Sequence, residues 1–463
     1  MAKELRKALT ATMIKDVPAY GNKFFYSLGF LSMISFVVLI ITGIILAFYG
    51  PNWWLTTTPG SYMRSVHLWA TQAFVTFIIL HVLVVFFSSG FKKPRRLTWV
   101  FGVIMLFLVI LQSEFGYLLR NDYSSQWRAL QGADFYNGTH LGYWLNVLNN
   151  KQIYGIHLVV LPLILMGVLF LHYALVRFLG VARPYRPEVK VAQVPANHTV
   201  LFIRGGVLVL GILILALILP SPLVPATTIT SVAKQDPALM AQTLMGEYTA
   251  QSDTASYVDD IAPYSYNTQQ VYVNAPYRQL VASDTTLIDQ LNRFNVEPAA
   301  LRASQIKAAN DYFNNWNGTS KVPLNNPLVI AIAQLVVMAK AGLYQPAVEA
   351  INAQATPADD TTYVLRFLAD SGVLDAHATS ISLQTDQYGM LHEEAGHALG
   401  AWWLAPIGLL DKTVLSNDSN GDRDGGIIFG TFFILLMAFP YIPWVNQLPD
   451  KLKVYKFIWR TKP

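Results

Sequence analysis

The sequence predicts an all-α membrane protein: six transmembrane helices, with a mostly α extracytoplasmic domain between the fifth and the sixth. Three observations carry this expectation. Of 463 residues, 53% are hydrophobic and only 13% charged, which excludes disorder and an ordinary soluble domain. Six segments are long and apolar enough to cross a hydrocarbon core of ~30 Å. Two of those segments carry histidines in long-spaced pairs, and ionisable groups at membrane depth are costly and usually functional.

The spans are expected at 25–49, 63–88, 98–119, 153–180, 200–219 and 426–444. The 327–343 stretch is also apolar, but it is short and holds Gln334 and Lys340, so a buried helix of the extramembrane domain explains it better. Residues 1–23 are charged, and the first apolar run is too long for a cleavable signal, so none is expected. Lys and Arg orient the spans. Five lie before the first span, four in the 91–97 loop, five between 177 and 204, and five in the tail. The opposite short loops carry only Arg64, Arg120, Arg128 and Lys151. By the positive-inside rule both termini are cytoplasmic, in a prokaryotic cytoplasmic membrane.

Residues 221–425 then lie outside, with 21 acidic and 10 basic residues, a net charge of −11. The stretch is long enough for a folded domain, and patterns at 287–294 and 347–353 read as helical. Its acidity would attract a basic partner or simply keep the surface soluble. The expected organisation is a transmembrane domain over 1–220, the extracytoplasmic domain over 221–425, and a last span and tail over 426–463.

His67 and His81 are fourteen residues apart, and His157 and His172 fifteen. Fourteen residues of α-helix return to within about 40° of the starting direction, and fifteen to within about 60°. Each pair therefore points to one side of its helix, with its members roughly 20 Å apart along the axis. Two such helices packed together offer two facing His–His pairs stacked through the bilayer. That is the ligand set of two haems, each iron taking two axial nitrogens. A hydrogen bond to a neighbouring helix is the bland alternative for any single one of these histidines. The chain has no cysteine, so no covalent haem attachment, iron–sulfur cluster or disulfide is possible, and the haems are expected to be non-covalent, b-type.

With these residues in view, the chain resembles the N-terminal dihaem, four-helix part of the cytochrome b family of quinol–cytochrome c (bc-type) and plastoquinol (bf-type) complexes. Arg64-Ser-Val-His67 followed by His81 is similar to that family's second helix. Gly29 and Gly43, and Gly102 and Gly116, repeat its G-x13-G spacing, in which glycine lets a porphyrin face approach the helix backbone. Phe91-Lys-Lys-Pro-Arg-Arg-Leu-Thr-Trp-Val-Phe-Gly102 matches its loop into the third helix, and the fifteen-residue histidine spacing is the bf-type variant. The resemblance covers about residues 20–225 and, weakly, the tail at 440–460. Where family members continue Gly-Tyr-Leu-Leu into Pro-Trp, this chain continues Arg120-Asn121-Asp122-Tyr123. The Pro-Glu-Trp-Tyr element of the outer quinol site is absent, and in bf-type complexes a separate subunit carries it.

The resemblance implies that Arg64 pairs with a haem propionate and that Arg177 stands beside the inner quinone site. Each could instead anchor a helix end in the headgroups. Glu114, an acid inside a span, could accept a proton from quinol or serve in helix packing beside Gln112. His392-Glu-Glu-Ala-Gly-His397 has its histidines five apart, whereas a zinc helix needs four, so a surface or partner contact is expected. The run from Asp418 to Asp424 resembles half a calcium loop but lacks the closing acid, which favours a polar turn ahead of a helix.

The expected function is a dihaem b-type cytochrome subunit of a membrane quinol oxidoreductase, with quinone or quinol as substrate. Its partners would be the membrane, Rieske-type or multihaem cytochrome c subunits, a second copy of the chain, and a subunit supplying the missing Pro-Glu-Trp-Tyr element. Nothing points to nucleic acid. The alternatives are a quinone-linked dihaem anchor for an extracytoplasmic dehydrogenase or hydrogenase, and a non-enzymatic scaffold docking partners through its outer domain.

Overall fold

The computed structural model describes residues 14–182, 191–256, 266–355, 359–388 and 402–459. It is almost wholly helical. Among the described residues one sheet is present, pairing β1 (Asp16–Pro18) antiparallel with β2 (Gln193–Pro195), Val17 opposite Val194. Six helices among the described residues are long and apolar enough to cross a membrane.

The first, α1 (Leu28–Thr56), ends in a break at Gly50, whose φ of 76° no β-branched residue would adopt readily, followed by Pro51. Thr57 then caps α2 (Thr58–Phe87), its hydroxyl accepting from the Gly60 amide. A Cβ on Gly60 would stand 2.4 Å from the Trp53 carbonyl oxygen, so glycine is what lets α1 and α2 turn so closely. Helix α3 is Arg96–Leu118, and α4 (Tyr123–Gly138) opens on a capping box between Asp122 and Ser125. The fourth crossing, α5 (Asn150–Leu179), is interrupted by a π turn at Ile156–Val160. The fifth is α6 (His198–Ile218), capped by the Asn197 side chain.

The π turn has a local cause. Pro162 has no N–H to give the carbonyl of residue 158, and its ring would clash there, so the chain widens by one residue just before it. The same device recurs at Gln269–Asn274, ahead of Pro276.

The chain divides into two compact units. The first comprises Met1–Gly116, Ile156–Pro222 and Ile427–Pro463. Within it, α1 and α2 form a hairpin, with Phe36 stacked on Phe74 at 5.4 Å between centroids. Helix α6 packs on α2 through Ile212 and Ala216 against Val66 and Ala70. Trp99 of α3 donates its indole N–H to the Leu436 carbonyl in the sixth crossing, at 2.8 Å. Lys92 pairs with Asp450, which ties the tail back to the 88–92 loop.

The second unit comprises Tyr117–Gly155 and Leu223–Gly426. The connections that follow the third and the fifth of the long apolar helices thus pack together in one unit. Helices α7 (Pro237–Thr249), α8 (Pro327–Lys340) and α9 (Thr362–Asp370) belong to this unit. The apolar 327–343 stretch is its buried helix: Leu328, Ile332 and Leu335 have no exposed surface. The expected helices around 287–294 and 347–353 are Thr285–Val296 and Tyr344–Ala355. Helix α4 is built into the unit's core. Trp127 donates to the Leu383 carbonyl at 2.9 Å, and the buried Arg128 guanidinium lies over the Tyr117 and Tyr388 rings, at 4.2 and 5.0 Å from their centroids.

Glu247 of α7 is fully buried and accepts from the Ser252 hydroxyl at 2.8 Å, while Asp370 of α9 accepts from the Thr254 amide at 3.0 Å. Burial first, then the neighbouring Asp370, pushes the Glu247 carboxyl up, so the fold holds a proton there that the unfolded chain releases. The native state binds the extra proton, so stability falls as pH rises above the ordinary glutamate range. Glu247→Gln should flatten that fall. Thermal melts of the purified protein between pH 5 and pH 9 should show the variant gaining on the native chain at the alkaline end by a few degrees, about 1 kcal/mol moving a midpoint of this size by roughly 2–4 °C. Equal pH slopes would leave Glu247 without this role.

The sixth crossing, α10 (Gly421–Ala438), starts inside the acidic run. Asp422 and Asp424 are its first turn, Arg423 pairs with Asp424, and the Asp418 carboxylate accepts from the Asn420 amide. The run is therefore a polar turn opening into a helix. His392 and His397 lie outside the described residues.

Candidate functional site

Helices α1, α2, α3 and α5 bring the four histidines into two pairs. His67 and His157 are near enough to act on one another electrostatically, and so are His81 and His172. The π turn explains how fourteen residues on α2 match fifteen on α5. It contains His157, and the one residue it adds to the helical count absorbs the surplus, so both pairs span four turns in the same phase.

Each histidine is backed by one of the four glycines. A Cβ on Gly29 would lie 3.4 Å from the His81 Cε1, on Gly43 3.4 Å from His67, on Gly102 3.4 Å from His172, and on Gly116 2.9 Å from His157. The glycines therefore make room for the imidazoles themselves, a closer role than the porphyrin clearance expected from their spacing. Gly116 is the tightest of the four.

The ring nitrogens are fixed as well. A carbonyl can only accept, so Nδ1–H of His157 donates to the Gln112 carbonyl and Nδ1–H of His172 to the Thr98 carbonyl, each at 3.0 Å. His67 Nδ1 lies 2.8 Å from the Thr42 hydroxyl, whose own proton goes to the Val38 carbonyl at 2.8 Å. That hydroxyl therefore accepts from Nδ1 as well. In all three rings the proton sits on Nδ1, which leaves the Nε2 lone pair available to a metal. Gln112 also holds the backbone of His157, donating Nε2–H to its carbonyl at 2.8 Å.

Beside His81 and His172 lies a cavity of about 650 Å³, within the range of cofactor sites. Its walls include Gly29, Gly102, Phe36, Phe74 and Leu165, and Asn22, Ser27, Arg95 and Arg204 bring polar groups to it. Arg95 donates to the Leu179 carbonyl at 2.7 Å, closing the end of α5, and Arg204 donates to Ser27 and to the Asn22 carbonyl. Among the described residues no three His, Asp or Glu side chains converge on one point. Two neutral imidazoles facing each other are too few for a protein-held zinc but suit an iron whose other donors come from a macrocycle. The residues present fit haem.

Arg64 is buried on α2 and donates to the Pro222 carbonyl. Arg177 is exposed in the last turn of α5, and neither arginine lines the cavity. Glu114 is half-buried on α3, between Gln112 and Gly116. Thr42, Arg95 and Arg204 escaped the sequence reading as site residues, and Gln112 entered it only as a packing neighbour of Glu114. Thr42 is the one with a local signal, since it directly precedes a glycine of the repeat.

Comparison with known proteins gives the same outline. Residues 72–231 match the family described as cytochrome b (N-terminal)/b6/petB. The chain is 31% identical over 195 residues to the cytochrome b6 of Heliobacterium modesticaldum, covering 36% of this chain and 89% of that one. It is 30% identical over 192 residues to the cytochrome b6 of Pyropia yezoensis, covering 37% and 89%. A solved chain of a hyperthermophilic respiratory Complex III aligns over 75% of this chain and 96% of its own, at 16% identity and a TM-score of 0.37, too slight a likeness to argue from.

Proposed function

Because the chain belongs to the cytochrome b family, matching cytochrome b6 over 36% of its length, we propose that it is the dihaem b-type cytochrome subunit of a membrane quinol oxidoreductase. The observation that carries this is the repeated unit of paired imidazoles, each with a facing glycine and, in three of four, Nδ1 tied so that Nε2 is presented. His67 with His157 would hold one haem and His81 with His172 the other. Haem, when bound, supplies reversible one-electron transfer. The chain's own contribution is to fix three of the four imidazoles in one tautomer and to wall the site beside His81 and His172 with apolar side chains that exclude water. Stacked along the helices, the two sites would carry electrons across the bilayer between an outer and an inner quinone site.

Both termini are then cytoplasmic, with residues 221–425 outside and His67 and His157 towards the outer face. The second unit lies beyond the family match, apart from residues 117–155 and its first few residues after 222, and its acidic surface suits a basic redox partner. A Rieske-type or multihaem cytochrome c subunit would complete the complex, in a homodimeric arrangement. Glu114 is the carboxyl on α3 that would accept the proton of quinol at the outer site, Arg64 would anchor the end of α2, and Arg177 would face the inner quinone.

The test is a reduced-minus-oxidised spectrum with a pyridine haemochrome assay, expected to give two b-type bands and two haems per chain, reducible by quinol. Absence of b-type absorption would sink the reading. In the same preparation, Glu114→Gln should slow quinol oxidation and alter its pH profile while both bands stay unchanged. Unchanged turnover across the pH range would leave Glu114 a packing residue.

A further inference from the structure

His67 is anchored differently from His157 and His172, and the difference lies in one hydroxyl. On α3 the acceptor of each imidazole Nδ1–H is the backbone carbonyl four residues before the facing glycine: Gln112 for Gly116, Thr98 for Gly102. The same rule applied to Gly43 on α1 would give the carbonyl of Leu39. That carbonyl is already covered: the Thr42 hydroxyl lies 3.2 Å from it and 2.8 Å from the Val38 carbonyl, and His67 Nδ1 meets the hydroxyl instead. Thr42 is buried and borders Gly43, so its side chain reaches the imidazole that Gly43 leaves room for.

A hydroxyl oxygen is a weaker acceptor than an amide carbonyl, although donating its own proton to backbone strengthens it by polarisation. The stronger the acceptor on Nδ1, the more electron density reaches Nε2, and the more the ferric form of a bound haem is favoured. We propose that Thr42 is a positioning residue that orients His67 and sets the reduction potential of the haem held by His67 and His157, independently of the other haem. This rests on the dihaem reading above.

The experiment is a potentiometric titration of the purified full-length protein, native, Thr42→Val and Thr42→Ser, followed at the two b-type bands. Valine keeps the shape but puts a methyl group against Nδ1–H, which then has no acceptor. The expected result is a rise in one haem's midpoint, with the equilibrium between the two haems shifting up to about tenfold, which is about 59 mV for a one-electron couple. The other midpoint should stay put, and serine, which restores the hydroxyl, should return the native value. Loss of that one haem in the valine variant but not in the serine variant would also support the role, since only the hydroxyl separates the two. An unchanged midpoint in Thr42→Val, or equal shifts in both variants, would overturn it. A native protein with no b-type bands would instead remove the dihaem reading itself, and the two failures are thereby distinguishable.

Discussion

His172→Leu should purify with one haem per chain in place of two, keeping the band that belongs to His67 and His157. His81→Leu should give the same spectrum, because in the proposed pairing each iron would draw one nitrogen from α2 and one from α5. The converse pair, His67→Leu and His157→Leu, should lose the other band. Leucine fills the volume of the imidazole, so the helices keep their packing while the ligand disappears. The measurement is haem content by pyridine haemochrome together with the difference spectrum of each band. Loss of both haems from a protein that still melts cooperatively would break the pairing of His81 with His172.

Gly116→Ala should cost the haem proposed at His157 although it replaces no ligand. The added methyl would sit 2.9 Å from the His157 Cε1, closer than real Cβ contacts come, and Gln112 holds that ring from both its nitrogen and its backbone side. The ring has little freedom to yield. Gly43→Ala meets His67 at 3.4 Å and should be partly tolerated, whereas Gly43→Leu and Gly116→Leu should both prevent loading. Gly167, on the same helix as His157 with nothing within 4 Å of its added Cβ, is the control and should keep both haems as alanine. Full occupancy in Gly116→Leu would mean that the glycine repeat serves helix packing alone.

The main lines of the membrane part were legible because they depend on composition and period. Apolar runs of bilayer length fix the crossings, and the glycine and histidine spacings state which residues share a face. The partner of each glycine was not legible. Spacing says that Gly116 repeats Gly102, and only the packed helices show that its neighbour is an imidazole at near-clash distance. The π turn escaped for a related reason: Pro162 announces a disturbance in the helix, but whether the chain kinks, breaks or gains a residue depends on what it packs against. Thr42 and Gln112 read as ordinary span residues, since a hydroxyl bonded to the preceding turn and an amide facing a neighbouring helix leave no periodic trace. Nor does the sequence announce that residues 117–155 pack with a segment beginning at residue 223.

That last arrangement has a consequence for how the molecule is made. Trp127 finds its acceptor 256 residues later, at Leu383, and Arg128 waits as long for Tyr388. At about 5–20 residues per second, the ribosome leaves roughly 13 to 50 s between the emergence of α4 and that of its partners. Two further crossings, α5 and α6, must enter the bilayer in that interval. For that time α4 waits with an uncovered tryptophan and an arginine lacking one of its two aromatic faces. The second unit is therefore not a module that finishes folding and is then tethered. Its first segment is held open until the fifth of the long apolar helices has been made, so completion of the second unit reports that five of the six have already left the ribosome.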